Sequence, residues 1–233
     1  MSEPNREPTP PAELQPRRSP QQERAKETVE KILDATAELL DDAGHENLTT
    51  ERVAERSGVN IATLYHYFPN KLALLHALAQ QFAAQQQEQL DAIYRERAET
   101  GWRDTLDKLV DAALAFNREV KGALAVARAM QSHATLRQVD YERDARQSAF
   151  AAEVLAELGM EGSRQELQTR ALVLLETAGS AIDKALLWYP DTADAAVNEV
   201  KLMIKQYIEH YIRESGGDSS GEDTARPHIA EEA

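Results

Sequence analysis

Between Leu48 and Lys71 the chain reads LTTERVAERSGVNIATLYHYFPNK, and here its polar side chains fall into a spacing with a use. Asn60, Ile61, Ala62, Thr63, Tyr65, His66 and Tyr67 lie close together, with Thr49 and Thr50 ahead of them and Lys71 behind. Their chemistry is recognition. Thr63 carries a methyl and a hydroxyl, and Ala62 a small apolar surface, both suited to base edges such as the thymine methyl. His66 and the hydroxyls of Tyr65 and Tyr67 can donate to phosphates, and Lys71 adds a point charge for another. Of Thr49 and Thr50, one is needed as a helix cap, which leaves the other for a phosphate. Packing of the two tyrosine rings is the alternative to a phosphate contact and does not exclude it, because a half-buried ring can keep its hydroxyl in water.

To present those groups together the segment must fold as two short helices and a tight turn. Thr49 is an N-cap residue and opens a helix to about Arg56, with Val53 and Ala54 inward. Gly58 closes it in the left-handed conformation, and Val59 plugs the turn. Asn60 caps a second helix over about 61–68, which Pro69 stops. Leu64 and Phe68, one turn apart, point inward, so Ala62, Thr63, His66 and Tyr67 fall on or near the other face. Helix, glycine turn and short second helix make a helix-turn-helix, whose second helix enters the major groove of DNA.

The segments ILDATAELLDDAGHENLTT, VAERSGV and TLYHYFPNKLALL resemble the DNA-binding domain of the tetracycline-repressor (TetR) family of transcription regulators. The most specific part is Thr63-Leu64-Tyr65-x-Tyr67-Phe68-x-Asn70-Lys71, close to that family's signature. The resemblance covers residues 24–78 and implies DNA contacts from Thr49, Thr50, Asn60, Ile61, Ala62, Thr63, Tyr65, His66, Tyr67 and Lys71. Ile61 occupies a position that commonly faces DNA in the family, while its spacing to Leu64 and Phe68 suits the core equally. Glu51 departs from the pattern: some members place a basic residue there against DNA, so no contact is expected from it, and Thr50 and the second helix are left to do most of the reading.

The rest of the chain reads as helices only, so the expected fold is all-α: a three-helix helix-turn-helix domain (24–78) followed by a helical ligand-binding and dimerisation bundle (79–214). Residues 1–23 hold six of the nine prolines and almost no apolar residues, which predicts an unstructured arm. Residues 215–233, five acids to one arginine after Ser215, predict a flexible acidic tail. A first helix over about 25–43 packs behind the motif through Val29, Ile32, Leu33, Leu39 and Leu40. A long helix over about 71–97 is the only evident lever between the domains. Further helices are expected over about 102–120, 122–131 and 135–158. Ser163 and Glu166 form a capping box opening a helix over about 164–189, with Leu167, Ala171, Leu174, Leu175, Ala178, Ile182, Ala185, Leu186 and Tyr189 on one stripe. A last helix covers about 193–214.

The net charge of -14 argues against strong non-specific DNA binding. Residues 24–76 alone carry six Lys/Arg against nine acids, yet seven of those acids precede the motif and 57–72 has none, so the reading surface escapes the acidity and a shallow salt dependence is expected. No cysteine is present, which excludes thiol catalysis and cysteine-based zinc sites, and the six histidines are scattered with no i, i+4 pair. No metal, cofactor or enzymatic activity is expected. No apolar run approaches the roughly 20 residues of a membrane span, and the N-terminus has no signal-peptide core, so a cytoplasmic location is expected.

Leu172, Val173, Gly179, Ser180 and Leu187 form a second apolar and small-residue set on the 164–189 helix. A helix apolar on two faces is buried twice, here by its own domain and by a second copy of the chain. The resemblance points the same way, to a homodimer through helices 164–189 and 193–214. It also implies a small-molecule effector pocket among the middle helices, for which Trp102, Phe116, Met130, His133, Tyr141, Phe150 and Trp188 are candidate lining residues, mixing bulky apolar surface with polar tips. By the family's habits the chain is a ligand-responsive repressor that binds a palindromic double-stranded operator and is released by its effector. An activator of the same fold, or a helical scaffold without DNA binding, are the alternatives.

Overall fold

The computed structural model describes residues 11, 14, 15 and 23–214. Among them are ten α-helices and no strand: α1 (Glu23–Ala43), α2 (Thr50–Ser57), α3 (Ile61–Tyr67), α4 (Lys71–Arg95), α5 (Arg97–Thr100), α6 (Trp102–Glu119), α7 (Ala123–Ser132), α8 (Ala134–Glu157), α9 (Arg164–Trp188) and α10 (Ala193–Glu214). The tail expected over 215–233 lies outside the described residues. None of the described helices is long and apolar enough to cross a membrane. Packing divides the described residues into two compact units, one within residues 11–85 together with 119–141, the other of 86–118 with 142–214.

The first unit is built on the capped helices of the motif. The Thr49 hydroxyl accepts from the Arg52 N–H, Gly58 closes α2 at φ 67°, and the Asn60 side chain accepts from the Ala62 N–H at 2.8 Å. Each cap satisfies an N–H or carbonyl that a short helix leaves open. Leu64 and Phe68 are buried, as are Ile32, Leu33, Leu39 and Leu40 of α1 and Val53 and Ala54 of α2. Burying each such large apolar side chain stabilises the unit by about 1.5–3 kcal/mol. α1 packs on α2, and α2 on α3.

Two features of this unit depart from expectation. Leu14, inside the arm expected to bury nothing, is fully buried, and its carbonyl lies 3.2 Å from Nδ1 of the buried His76. A turn from Pro11, whose carbonyl accepts from the Leu14 N–H, carries it there. The other is α7, which packs on α1. Gly122, at φ 78°, is its N-cap, and a Cβ there would stand 2.8 Å from the Ala37 carbonyl oxygen. The close approach of the two backbones therefore requires glycine. With α7 in the first unit the chain passes between the units three times, so the 71–97 helix is not the sole connection. That helix also stops at Arg95, and a separate turn, α5, precedes Gly101.

The second unit has its own core, formed by Val110 and Leu114 of α6, Ala152 and Leu155 of α8, Leu167, Ala171 and Ile182 of α9, and Val197, Val200, Ile204 and Ile208 of α10. The capping box of Ser163 and Glu166 opens α9 as read from the sequence. α9 packs along α10. Across α6 and α10, four ion pairs keep one register: Arg103–Glu209 (3.0 Å), Asp107–Lys205 (2.6 Å), Asp111–Lys201 and Arg118–Asp194 (2.9 Å). As one partner's number rises the other's falls by the same step, which defines the two helices as antiparallel. On the stripe assigned inward along α9, Leu175 is 42 % exposed and Tyr189, its C-cap, 66 %.

Candidate nucleic-acid interface

Seven residues of α3 divide cleanly. Leu64 is buried, and Phe68 just beyond the helix is buried too, so the helix is pinned by its inner side. Ile61, Ala62, Thr63, Tyr65 and His66 are exposed, Tyr67 is half-buried, and the capping Asn60 is exposed. Ile61 thus stands on the solvent side, at 37 % exposure. The exposed set offers methyls, one threonine hydroxyl, an imidazole and a phenol on a single turn and a half, with no acid among them. The His66 and Tyr67 rings meet edge to face, with centroids 5.3 Å apart.

The residues around α3 are held by one another. Thr49 caps α2 and is exposed, whereas Thr50 is buried, with its hydroxyl 2.9 Å from the Tyr65 hydroxyl. Thr50 therefore supports the reading helix from beneath and is poorly placed to touch a base itself. Glu51 joins the same cluster: Thr50 Oγ1 donates to its Oε2 at 3.3 Å, and Tyr65 Oη approaches its Oε1 at 3.5 Å. Its own backbone N–H, then the Thr49, Thr50 and Tyr65 hydroxyls, hold its carboxyl below the ordinary glutamate value. The sequence discounted Glu51 on its charge, and the only signal for its placement was its position beside Thr50.

The basic groups of the motif are largely engaged within the unit. Arg56 pairs with Glu38 and Asp42 of α1, each at 3.1 Å, and those hydrogen bonds raise its pKa further. Arg52 donates to the Asn47 carbonyl at 2.7 Å. Lys71 Nζ donates to the His45 carbonyl at 3.1 Å, which holds its charge at the start of α4 with two further N–H groups for other acceptors.

The candidate effector residues are scattered. Met130, His133 and Tyr141 belong to the first unit, and Trp102, Phe116, Phe150 and Trp188 to the second. Met130 and Phe116 are core residues, and Trp102 packs on the second core with the Arg103 guanidinium 4.4 Å from its ring centroid. His133 is the exposed C-cap of α7. Tyr141, Phe150 and Trp188 are 68, 51 and 70 % exposed. None of the seven lines the open groove of about 390 Å³ that Ser163, Glu166, Arg170, Val173, Tyr207 and Tyr211 help to form between α9 and α10.

Known proteins share this arrangement. Residues 32–78 match the family model of bacterial regulatory proteins of the tetR family, and residues 100–212 that of the tetracyclin repressor-like C-terminal domain. The chain is 53 % identical over 51 residues to the tetracycline repressor protein class C of Escherichia coli, covering 22 % of this chain and 23 % of that one. It is 48 % identical over 58 residues to the HTH-type transcriptional repressor KstR of Rhodococcus jostii (strain RHA1), covering 24 % and 27 %. It thus spans about a quarter of the length of these curated relatives. A solved TetR-family transcriptional regulator from Streptomyces coelicolor superposes with a TM-score of 0.60 at 28 % identity, covering 79 % of this chain and 97 % of that one. With its helix-turn-helix, its all-helical second unit and both family models matched in order, the chain belongs to the TetR family of regulators.

Proposed function

We propose that the protein is a cytoplasmic transcriptional repressor that binds a palindromic DNA operator as a homodimer and leaves it on binding a small molecule. The observation that carries the reading is the outer side of α3: five exposed side chains without an acid, on a helix fixed by Leu64 and Phe68. Thr63 and Ala62 suit base edges, while Asn60, His66, Tyr67, Thr49 and Lys71 suit the backbone on either side. Residues 24–78 do the reading, and 79–214 supply dimerisation and effector response. The dimer is supported by apolar side chains left open on α9 and α10, namely Leu172, Val173, Leu175, Leu202 and Met203. Repression and an effector are supported by the names of the relatives, a tetracycline repressor among them. The three chain passages between the units give an effector signal more than one route to the reading helix.

The test is selection of duplexes from random-sequence DNA by the full chain, followed by binding to the selected duplex. A two-fold symmetric sequence with half-sites about one helical turn apart is expected. Thr63→Ala should weaken binding to it by roughly 2- to 12-fold, the range for one lost neutral hydrogen bond. Enrichment of no sequence would remove the proposal.

A further inference from the structure

Glu51 is an acid at the edge of a surface that otherwise avoids them. It is exposed on the first turn of α2, and its carboxylate reaches as far forward as the Tyr65 hydroxyl, 3.5 Å away. It is also anchored. The buried Thr50 hydroxyl donates to its Oε2 at 3.3 Å and the Tyr65 hydroxyl to its Oε1 at 3.5 Å, so each hydroxyl hydrogen is used once. Thr50 and Tyr65 come from α2 and α3, so the carboxylate is positioned by the same two helices that position the reading face. On its solvent side it keeps accepting capacity and has nothing to donate. Like any exposed glutamate it is ionised at neutral pH, and the hydrogen bonds it accepts act in the same direction.

A carboxylate held on that side by the Thr50 and Tyr65 hydroxyls is not suited to phosphates, which repel it. In the major groove only amino groups satisfy it, and these are adenine N6 and cytosine N4. Adenine sets its N7 acceptor beside N6, against the second carboxylate oxygen, whereas cytosine presents N4 with no acceptor of its own. We infer that Glu51 is a specificity-determining residue that accepts a hydrogen bond from the N4 amino group of one cytosine in each half-site, with Thr50 and Tyr65 as its positioning residues. The inference rests on the operator reading above and goes beyond it by naming a base and the side chain that reads it.

The same selection, run in parallel with the full-length wild type, Glu51→Ala and Glu51→Gln, tests it. The wild type should enrich a palindrome with one invariant cytosine per half-site. Glu51→Ala should keep the palindrome and lose the preference in that column alone, where about tenfold discrimination disappears. Glu51→Gln should admit adenine there, because a glutamine pairs with adenine N6 and N7 together. A wild-type palindrome lacking such a column would overturn the inference and leave the operator reading intact. So would a Glu51→Ala sequence preference identical to the wild type with affinity merely raised or lowered, which would make Glu51 a source of phosphate repulsion or a prop for Tyr65. Enrichment of nothing by the wild type would end both.

Discussion

A buried imidazole with one nitrogen unanswered sets how the first unit meets acid. His76 is 2 % exposed, and its Nδ1–H donates to the Leu14 carbonyl, which leaves Nε2 without a partner among the described residues. Burial lowers its pKa, with the Leu14 carbonyl acting the other way. Between that lowered value and the ordinary one near 6.5, the unfolded chain takes up a proton that the folded chain refuses. Stability is therefore lost as pH falls through this window, by at most about 1.4 kcal/mol per pH unit. Chemical denaturation at about pH 7.5 and about pH 5.5 should show a larger loss for the wild type than for His76→Leu, and equal losses would refute the assignment. The sequence could not show this pair. Leu14 is a single leucine among prolines and carries no period, whereas Leu64 and Phe68 one turn apart announced the inner side of α3. Ile61 shows the limit of spacing: it suited either side, and the fold put it outside.

At the scale of elements, the caps made most helices legible. Thr49, Gly58, Asn60 and the Ser163–Glu166 box each mark a boundary by local hydrogen bonding, which sequence encodes directly. The break before α5 was not legible, because Arg95-Glu96-Arg97 contains no breaker and Glu96 departs only slightly from helix at φ -83°, ψ -1°. Nor was the docking of α7 on α1, a long-range contact that shows locally only as a glycine. That glycine makes it testable. An alanine at Gly122 meets both the positive-φ penalty, about 1–2 kcal/mol, and the Ala37 carbonyl. Gly58 has a similar left-handed backbone, φ 67° and ψ 14°, and open space around its Cβ. Denaturant melts should show Gly122→Ala destabilised by at least about 1 kcal/mol more than Gly58→Ala, since backbone cannot yield as a side-chain tip can. Equal losses would mean that α1 and α7 move apart at little cost.

For the whole molecule the question is what covers the second apolar side of α9. Periodicity found that side, and Leu172, Val173, Gly179 and Ser180 are indeed exposed while Leu187 is half-buried. Periodicity could not tell a side covered by the chain from one left for a partner, which is why Leu175 was assigned inward and stands 42 % exposed. The aromatic candidates for the effector failed to gather for a related reason, since residue type carries size and polarity but no direction. Val173 and, on α10, Leu202 are 48 and 53 % exposed, so a glutamate at either disturbs no core. In a dimer joined through these helices it would instead bury a charge opposite apolar surface, at a cost of several kcal/mol. Val173→Glu and Leu202→Glu should each sediment as a folded monomer where the wild type sediments as a dimer. With only one half-site held at a time, each should also lose about 10²-fold or more in affinity for the selected operator. Retention of the dimer by both variants would move the interface off α9 and α10, and loss of the dimer with operator affinity unchanged would break the link between symmetry and reading.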